Sequence, residues 1–351
     1  MKITDHSLTS IDIRLTERVT TSAGELGDRS GVRLVLRTDV GLSGQGETAP
    51  IPGLPTSGSL EEIASQIADW STAANDADAD EALAALDEHS MLPAARFAVH
   101  TALVDLLSQR AEVPLHQWLR SGSEPSVVVN ALVSAETPKE VHGEVSAAMA
   151  AGFPAVKLKV GAVDLARDAT RIIAASEAAG PNAELRLDAN RAWTTADVEH
   201  VIGRVGRHRL SYIEDPTADT TEYADLADRT GVTMAIDAPP EAGANLAGLV
   251  EDTGIRALVV KPAAAGGVDR ILDVARVVGE SCQVIVTSSI DSEIALLAAL
   301  HVAAALPVPP RTAHGLSTAG LVQGVSDGLN PVAGKVGLGA GSGLGTPAEI
   351  G

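Results

Sequence analysis

The stretch AVKLKVG at 155–161 closes a short apolar run on a lysine, and four further runs down the chain close in the same way. They are LRLDAN (185–190), SYIEDP (211–216), TMAIDA (233–238) and ALVVKP (257–262). Their terminal charges are Lys159, Asp188, Glu214, Asp237 and Lys261, at successive intervals of 29, 26, 23 and 24 residues. Each interval accommodates one strand and one helix. Runs of four to six apolar residues read as strands buried on both faces. The segments between them carry helical periodicity and helical punctuation. DLARDATRIIAASEAAG, for instance, opens at Asp164 as an N-cap and stops at Gly180 before Pro181.

Strand alternating with helix implies a parallel sheet, and about eight such units imply a closed barrel. The eight candidate strands are VVVNALV (127–133), the five runs above, QVIVTSS (283–289) and RTAHGL (311–316). The expected architecture is therefore α/β, a TIM-like (β/α)7β barrel. On this count Lys159 ends strand 2, the three acids end strands 3 to 5, and Lys261 ends strand 6. Strands 2 and 6 lie opposite each other, and functional groups in such barrels gather at the C-terminal strand ends. Two ammonium groups should then face each other across a wall of three carboxylates.

Three converging carboxylates raise one another's pKa unless a cation joins them. Mg2+ takes oxygen ligands and leaves positions open for substrate. A lysine among such acids is suited to removing a proton next to a carboxylate. The period of two places Lys157 and Lys159 on one strand face and Leu158 on the other. Asn190 follows Asp188 by two and is a candidate to orient the ligand shell. Ser288 and Ser289, ending strand 7, and His314, in strand 8, are candidate substrate contacts.

KLKVG, LRLDANRAW, YIEDP, the strand-terminal Asp237 and VVKPAAAGG together resemble the enolase superfamily, in its muconate-lactonizing branch. GLSGQGETAPIPG (41–53) and AARFAVHTALVDL (94–106) extend the resemblance over most of the chain. Within the branch, LRLDANRAW, RTGVTMAID, IRALVVKP and VTSSIDS look most like the o-succinylbenzoate synthases of menaquinone synthesis. The resemblance implies Mg2+ on Asp188, Glu214 and Asp237, with Lys159 as the base that removes the α-proton. It further implies that Lys157 polarises the substrate carboxylate and that Lys261 faces the other side of the substrate. The implied reaction is a hydro-lyase dehydration of 2-succinyl-6-hydroxy-2,4-cyclohexadiene-1-carboxylate to o-succinylbenzoate. The alternatives are an N-acylamino acid or dipeptide racemase, or a muconate cycloisomerase-like enzyme, on the same scaffold. One departure stands out: the family's usual Glu after the third ligand is Ala238 here, followed by Pro239 and Pro240.

Residues 1–125 read differently. IDIRLTERV (11–19) and RSGVRLVLRTDVG (29–41) alternate as antiparallel strands, and 60–120 reads as helices. This is the expected α+β capping domain, with 17–28 and 48–56 as candidate substrate lids. The barrel would then occupy 126–320, and the Gly-rich segment 321–351 would pack back on the cap. The 351 residues carry a net charge of −20 and a pI of about 4.7, which argues against nucleic acid or an anionic membrane as partner. The expected partner is a small carboxylate substrate, and a homo-oligomer is compatible with the chain. The single cysteine, Cys282, and the lack of an N-terminal basic-apolar leader point to the cytoplasm. Gly324-Val325-Ser326-Asp327-Gly328 formally fits G-x-S-x-G, but no histidine follows it, which sets aside a serine hydrolase. No histidine pair has i, i+4 spacing, which sets aside a zincin site.

Overall fold

The computed structural model describes residues 1–16, 19–21, 24–51, 58–238, 245–309 and 311–345. The candidate lids 17–28 and 48–56 fall partly outside these residues. The chain opens with β1 (Ile3–Ile13), the short hairpin β2 (Val19–Thr21) and β3 (Gly24–Leu26), then β4 (Arg29–Thr38) and β5 (Ser43–Thr48). β1, β4 and β5 form an antiparallel sheet in that order, running from Ile13 opposite Arg29 to Ile3 opposite Thr38. Helices α1 (Leu60–Ala73), α2 (Ala79–Ala84), α3 (Pro93–Arg110) and α4 (Leu115–Leu119) follow. The alternating buried residues Val32, Leu34 and Leu36 of β4 pack on Ile63, Ile67, Ala98 and Leu103 of those helices.

Two glycines in the GLSGQGE motif set how closely β5 lies on α3. A Cβ at Gly44 would come within 2.1 Å of the Ala102 carbonyl oxygen, and one at Gly46 within 1.8 Å of that of Ala98. Both obstacles are backbone, so only glycine lets the strand cross the helix at this distance. Gly46→Ala is expected to destabilise the protein by about 1–3 kcal/mol, in the range of core overpacking. A urea midpoint equal to wild type would show that the crossing has slack.

After β6 (Ser126–Val128), the barrel strands are β7 (Ala131–Val133), β8 (Ala155–Lys159), β9 (Glu184–Asp188), β10 (Tyr212–Glu214), β11 (Thr233–Asp237), β12 (Ala257–Val260) and β13 (Gln283–Val286). β7 to β13 form one parallel sheet in sequence order, curled with β8 and β12 on opposite sides. The connecting helices are α5 (Pro138–Ala150), α6 (Leu165–Ala179), α7 (Thr195–Val205), α8 (Tyr223–Thr230), α9 (Leu246–Thr253), α10 (Pro262–Ala265), α11 (Val268–Val278) and α12 (Glu293–Ala305). Asp164 caps α6 by accepting from the Arg167 amide, and Gly180 ends the helix at φ +69°. Thr137 and Thr194 form capping boxes with Glu140 and Asp197 on α5 and α7.

Two expected strands differ in detail. The run 127–133 is not continuous, because β6 leaves the ring to pair antiparallel with β14 (Lys335–Gly337) and only β7 joins the barrel. The run 311–316 forms isolated bridges, Val129 with His314 and Thr287 with Gly315, instead of a ladder. Pro307 and Pro309 precede it and offer no amide donors. These bridges nonetheless close the ring: Asn130 N donates to His314 O at 2.9 Å, and Gly315 N donates to Val286 O at 2.8 Å.

The period of two divides each strand between two interiors. Val156, Leu158, Leu187, Ile213, Ile236 and Leu258 face the helices and their Ile172, Val198, Leu226 and Leu296. Tyr212, Ala235, Ala257, Val259 and Ile285 fill the barrel lumen below the functional rim. Past the barrel, the chain runs back against the N-terminal region. Leu15 bridges Val322, and the amides of Leu115 and Gly343 exchange hydrogen bonds with Gly343 O and Val113 O. Among the described residues no helix is long and apolar enough to cross a membrane.

Candidate active site

β8 delivers both lysines of KLK to the lumen side, since Leu158 between them is buried among the helices. The Lys157 ammonium lies 2.7 and 2.8 Å from the two carboxylate oxygens of Glu214 and 2.8 Å from Asp188 Oδ2. The Lys159 ammonium lies 2.6 Å from the same Asp188 oxygen and 3.2 Å from Asn190 Oδ1. Asn190 turns out of β9 in the left-handed region at φ +47°, which brings its side chain back toward the lysine. Across the ring, Lys261 donates to both oxygens of Asp237. The five strand-end charges and Asn190 thus share one rim, in two clusters that meet where β10 pairs with β11, with Lys159 and Lys261 at the outer strands β8 and β12.

Burial shapes the charges. Asp188 and Glu214 are nearly inaccessible. Desolvation opposes ionisation of Asp188, but Lys157 and Lys159 outweigh it and hold the carboxyl below its usual range. Glu214 is pushed up to about 8, by burial first and then by the neighbouring Asp188. Burial works against the charge on Lys157, yet Asp188 and Glu214 raise its pKa well above the ordinary value.

The donor set suits a hard divalent cation. All three acids offer oxygen, and Asp188 and Glu214 are register partners on adjacent strands. Lys157 Nζ holds those two carboxylates together; with Asp237 they are the residues that would hold Mg2+, which would offset negative charge on a bound carboxylate. As the side chains stand, each acid is turned onto a lysine, and among the described residues no three of them converge on one point.

Other candidates are placed differently. The Ser288 hydroxyl is 2.9 Å from that of Thr318 and accepts from Ile290 N at 3.2 Å. Ser289 N donates to Asp291 Oδ2 at 2.9 Å, so Asp291 serves this turn instead of the first amides of α12. His314 is 3% exposed, and its Nδ1 accepts from Val286 N at 3.0 Å. Burial, then the charge of Arg186, pushes its pKa down to about 3, so the neutral ring is part of the barrel closure.

The structure adds residues that the motifs did not single out. Asp215, next to Glu214, accepts from Asp237 N at 3.2 Å and from Arg191 Nε at 3.0 Å, tying two adjacent strand ends together. Its signal was its place in the IED triplet. Leu132 is in register with Lys157 and therefore faces the lumen, yet is 39% exposed, so it is an apolar surface at the mouth. Arg186 lies fully buried below the lysines, 5.1 Å from the Tyr212 ring centre, and donates to Ala313 O. Ala238, where the family's extra acid would stand, is buried and brings no charge, while Pro239 and Pro240 lie outside the described residues. Ile290 adopts φ +59°, a conformation costing a β-branched residue on the order of 1–3 kcal/mol.

Residues 140–348 match the family described as enolase C-terminal domain-like. Residues 8–119 match the mandelate racemase / muconate lactonizing enzyme N-terminal domain. The chain belongs to the enolase superfamily. Among superfamily relatives, an o-succinylbenzoate synthase of Enterobacter sp. (strain 638) is 30% identical over 85% of both chains. A hydrophobic dipeptide epimerase of Enterococcus faecalis is 27% identical over 98% of this chain and 99% of its own. The fold matches that of the L-Ala-D/L-Glu epimerase from Bacillus subtilis with a TM-score of 0.86 at 22% identity, covering 98% of each chain. The Enterococcus faecalis dipeptide epimerase, in complex with Mg and the dipeptide L-Leu-L-Tyr, matches with a TM-score of 0.85 at 24% identity. That alignment covers 98% of this chain and 99% of the epimerase. This superfamily member is therefore an enzyme with the superfamily's barrel and N-terminal domain.

Proposed function

We propose that this enzyme is a magnesium-dependent o-succinylbenzoate synthase, dehydrating 2-succinyl-6-hydroxy-2,4-cyclohexadiene-1-carboxylate. The observation that carries the reaction class is the pair of lysines on facing walls, Lys159 on Asp188 and Lys261 on Asp237. Asp188, Glu214 and Asp237 would hold Mg2+, which would offset the charge that develops on the substrate carboxylate as its α-proton leaves. In its neutral form Lys159 takes that proton, aimed by its bonds to Asp188 and Asn190. Lys261 stays cationic on the opposite side of the ring and favours the developing negative charge. Lys157 sits beside the carboxylate. The leaving hydroxide and the abstracted proton together make one water as the ring becomes aromatic.

The rim segments 287–292 and 311–318 favour a ring acid over a dipeptide. A dipeptide brings a free ammonium, which needs an anionic partner when it leaves water. Of the two rim segments 287–292 and 311–318, only the first contains an acid, Asp291, and that one is 6% exposed and committed to Ser289 N. Leu132 meanwhile supplies apolar surface for a carbocycle. A second reading, dipeptide epimerase, is favoured by the near-complete coverage of the Enterococcus faecalis relative. The deciding measurement is turnover of the cyclohexadiene acid followed by product absorbance, beside exchange of dipeptide α-protons in deuterium oxide. Exchange in both configurations with no dehydration would replace the lyase by the epimerase.

A further inference from the structure

The turn after β13 is held from outside the barrel. Arg29, the first residue of β4, reaches across with its side chain 1% exposed. One Nη donates to Ser289 O at 2.8 Å and Ile290 O at 2.7 Å, and the same nitrogen lies 3.7 Å from Asp291. These carbonyls flank the left-handed Ile290, a conformation that a β-branched side chain leaves unless its surroundings enforce it. The enforcing bonds are few: the two from Arg29, Ile290 N to the Ser288 hydroxyl, and Ser289 N to Asp291. The Thr318 hydroxyl, 2.9 Å from that of Ser288, also reaches the turn, and Ile290 packs among Ile13, Leu15 and Val322. Among the described residues, the hydrogen bonds that reach the turn from the N-terminal region are those of Arg29.

We infer that Arg29 is a positioning residue: it makes the strained Ser288–Asp291 turn, and with it the presentation of Ser288 and Ser289 to substrate, conditional on a seated N-terminal domain. The inference rests on the reading of Ser288 and Ser289 as substrate contacts. The reacting proton lies at Lys159, on the far wall, so loosening the turn weakens substrate positioning without touching the base. Arg29 therefore acts on KM and leaves kcat nearly alone.

The test is a double-mutant cycle of Arg29→Met and Ile290→Gly, because glycine adopts positive φ without strain. Arg29→Met is expected to raise KM by about tenfold or more while kcat stays within about threefold. Amide hydrogen exchange over 288–292 should quicken in parallel. Adding Ile290→Gly to Arg29→Met should slow that exchange again and recover at least about half of the KM loss on a logarithmic scale. Arg29→Lys guards against a variant that fails to fold. It keeps a cation near Asp291, but its ammonium sits on a shorter stem than the single Nη that bonds both carbonyls, and it should raise KM by about threefold or more. Unchanged exchange in Arg29→Met overturns the inference, as does faster exchange with wild-type KM, or a joint loss of kcat and KM that Ile290→Gly does not relieve. The exchange arm needs no substrate, and KM is read on whichever substrate the wild type turns over. A wild type inactive on the cyclohexadiene acid thus sinks the lyase reading alone.

Discussion

Lys159→Ala is expected to lower turnover of the cyclohexadiene acid by roughly 10⁴-fold, the upper end of what a positioned general base contributes. Its ammonium nitrogen is the one group on the β8 wall that touches both Asp188 and Asn190, and no neighbour can take over. Lys157 is already committed to Glu214 and Asp188. Lys261→Arg should behave differently. In a dehydration only one proton is abstracted, so Lys261 supplies charge, which arginine keeps; measurable turnover should remain. In a two-base epimerase Lys261 must exchange a proton, and a guanidinium that stays protonated cannot do so. The measurement is kcat of both variants on the cyclohexadiene acid and on a dipeptide. Complete loss in both, with wild type active only on the dipeptide, would sink the lyase reading.

The second large effect concerns the proposed Mg2+ site. Asp188→Asn, Glu214→Gln and Asp237→Asn each replace one carboxyl oxygen by an amide nitrogen that cannot ionise, while keeping the other oxygen in place. A metal clamp supplies several kcal/mol of transition-state stabilisation, so each variant should lose roughly 10³-fold in turnover. Mg2+ binding by calorimetry should weaken alongside. The substitutions also leave a lysine short of a partner, most severely for Asp188, which serves both Lys157 and Lys159. Circular dichroism must therefore show a folded protein before the loss is assigned to the metal. Near-wild-type turnover and Mg2+ dependence in two of the three variants would show that these acids are not the ligands.

Both predictions concern residues that are legible in the sequence. A charge at the end of a buried apolar run is a local signal, and so are the Asp164 cap, the Gly180 stop and the period of two that separates Leu158 from its flanking lysines. Such signals depend on residues within a few positions of each other, where backbone geometry alone decides which side chains share a face. The order of the parallel strands follows from the same rule, because each strand–helix unit packs beside its predecessor.

Other features became visible only when distant segments met. The run 127–133 has the composition of one strand, yet β6 abandons the barrel for Lys335–Gly337 because that partner is available in space. The sequence cannot show that RTAHGL closes the ring by bridges, with neutral His314 standing in for part of the ladder. His314 and Val286 meet through the closure of the whole barrel. Nothing local to Arg29 announces that it will hold a turn 260 residues away, or that Ile290 will be forced into a left-handed conformation. Sequence alone determined which residues reach the rim, since periodicity and strand ends are properties of short segments. Tertiary structure decided which ammonium meets which carboxylate, and what holds the rim in shape. Those pairings are set by distances between segments that only the closed barrel and its seated N-terminal domain bring together.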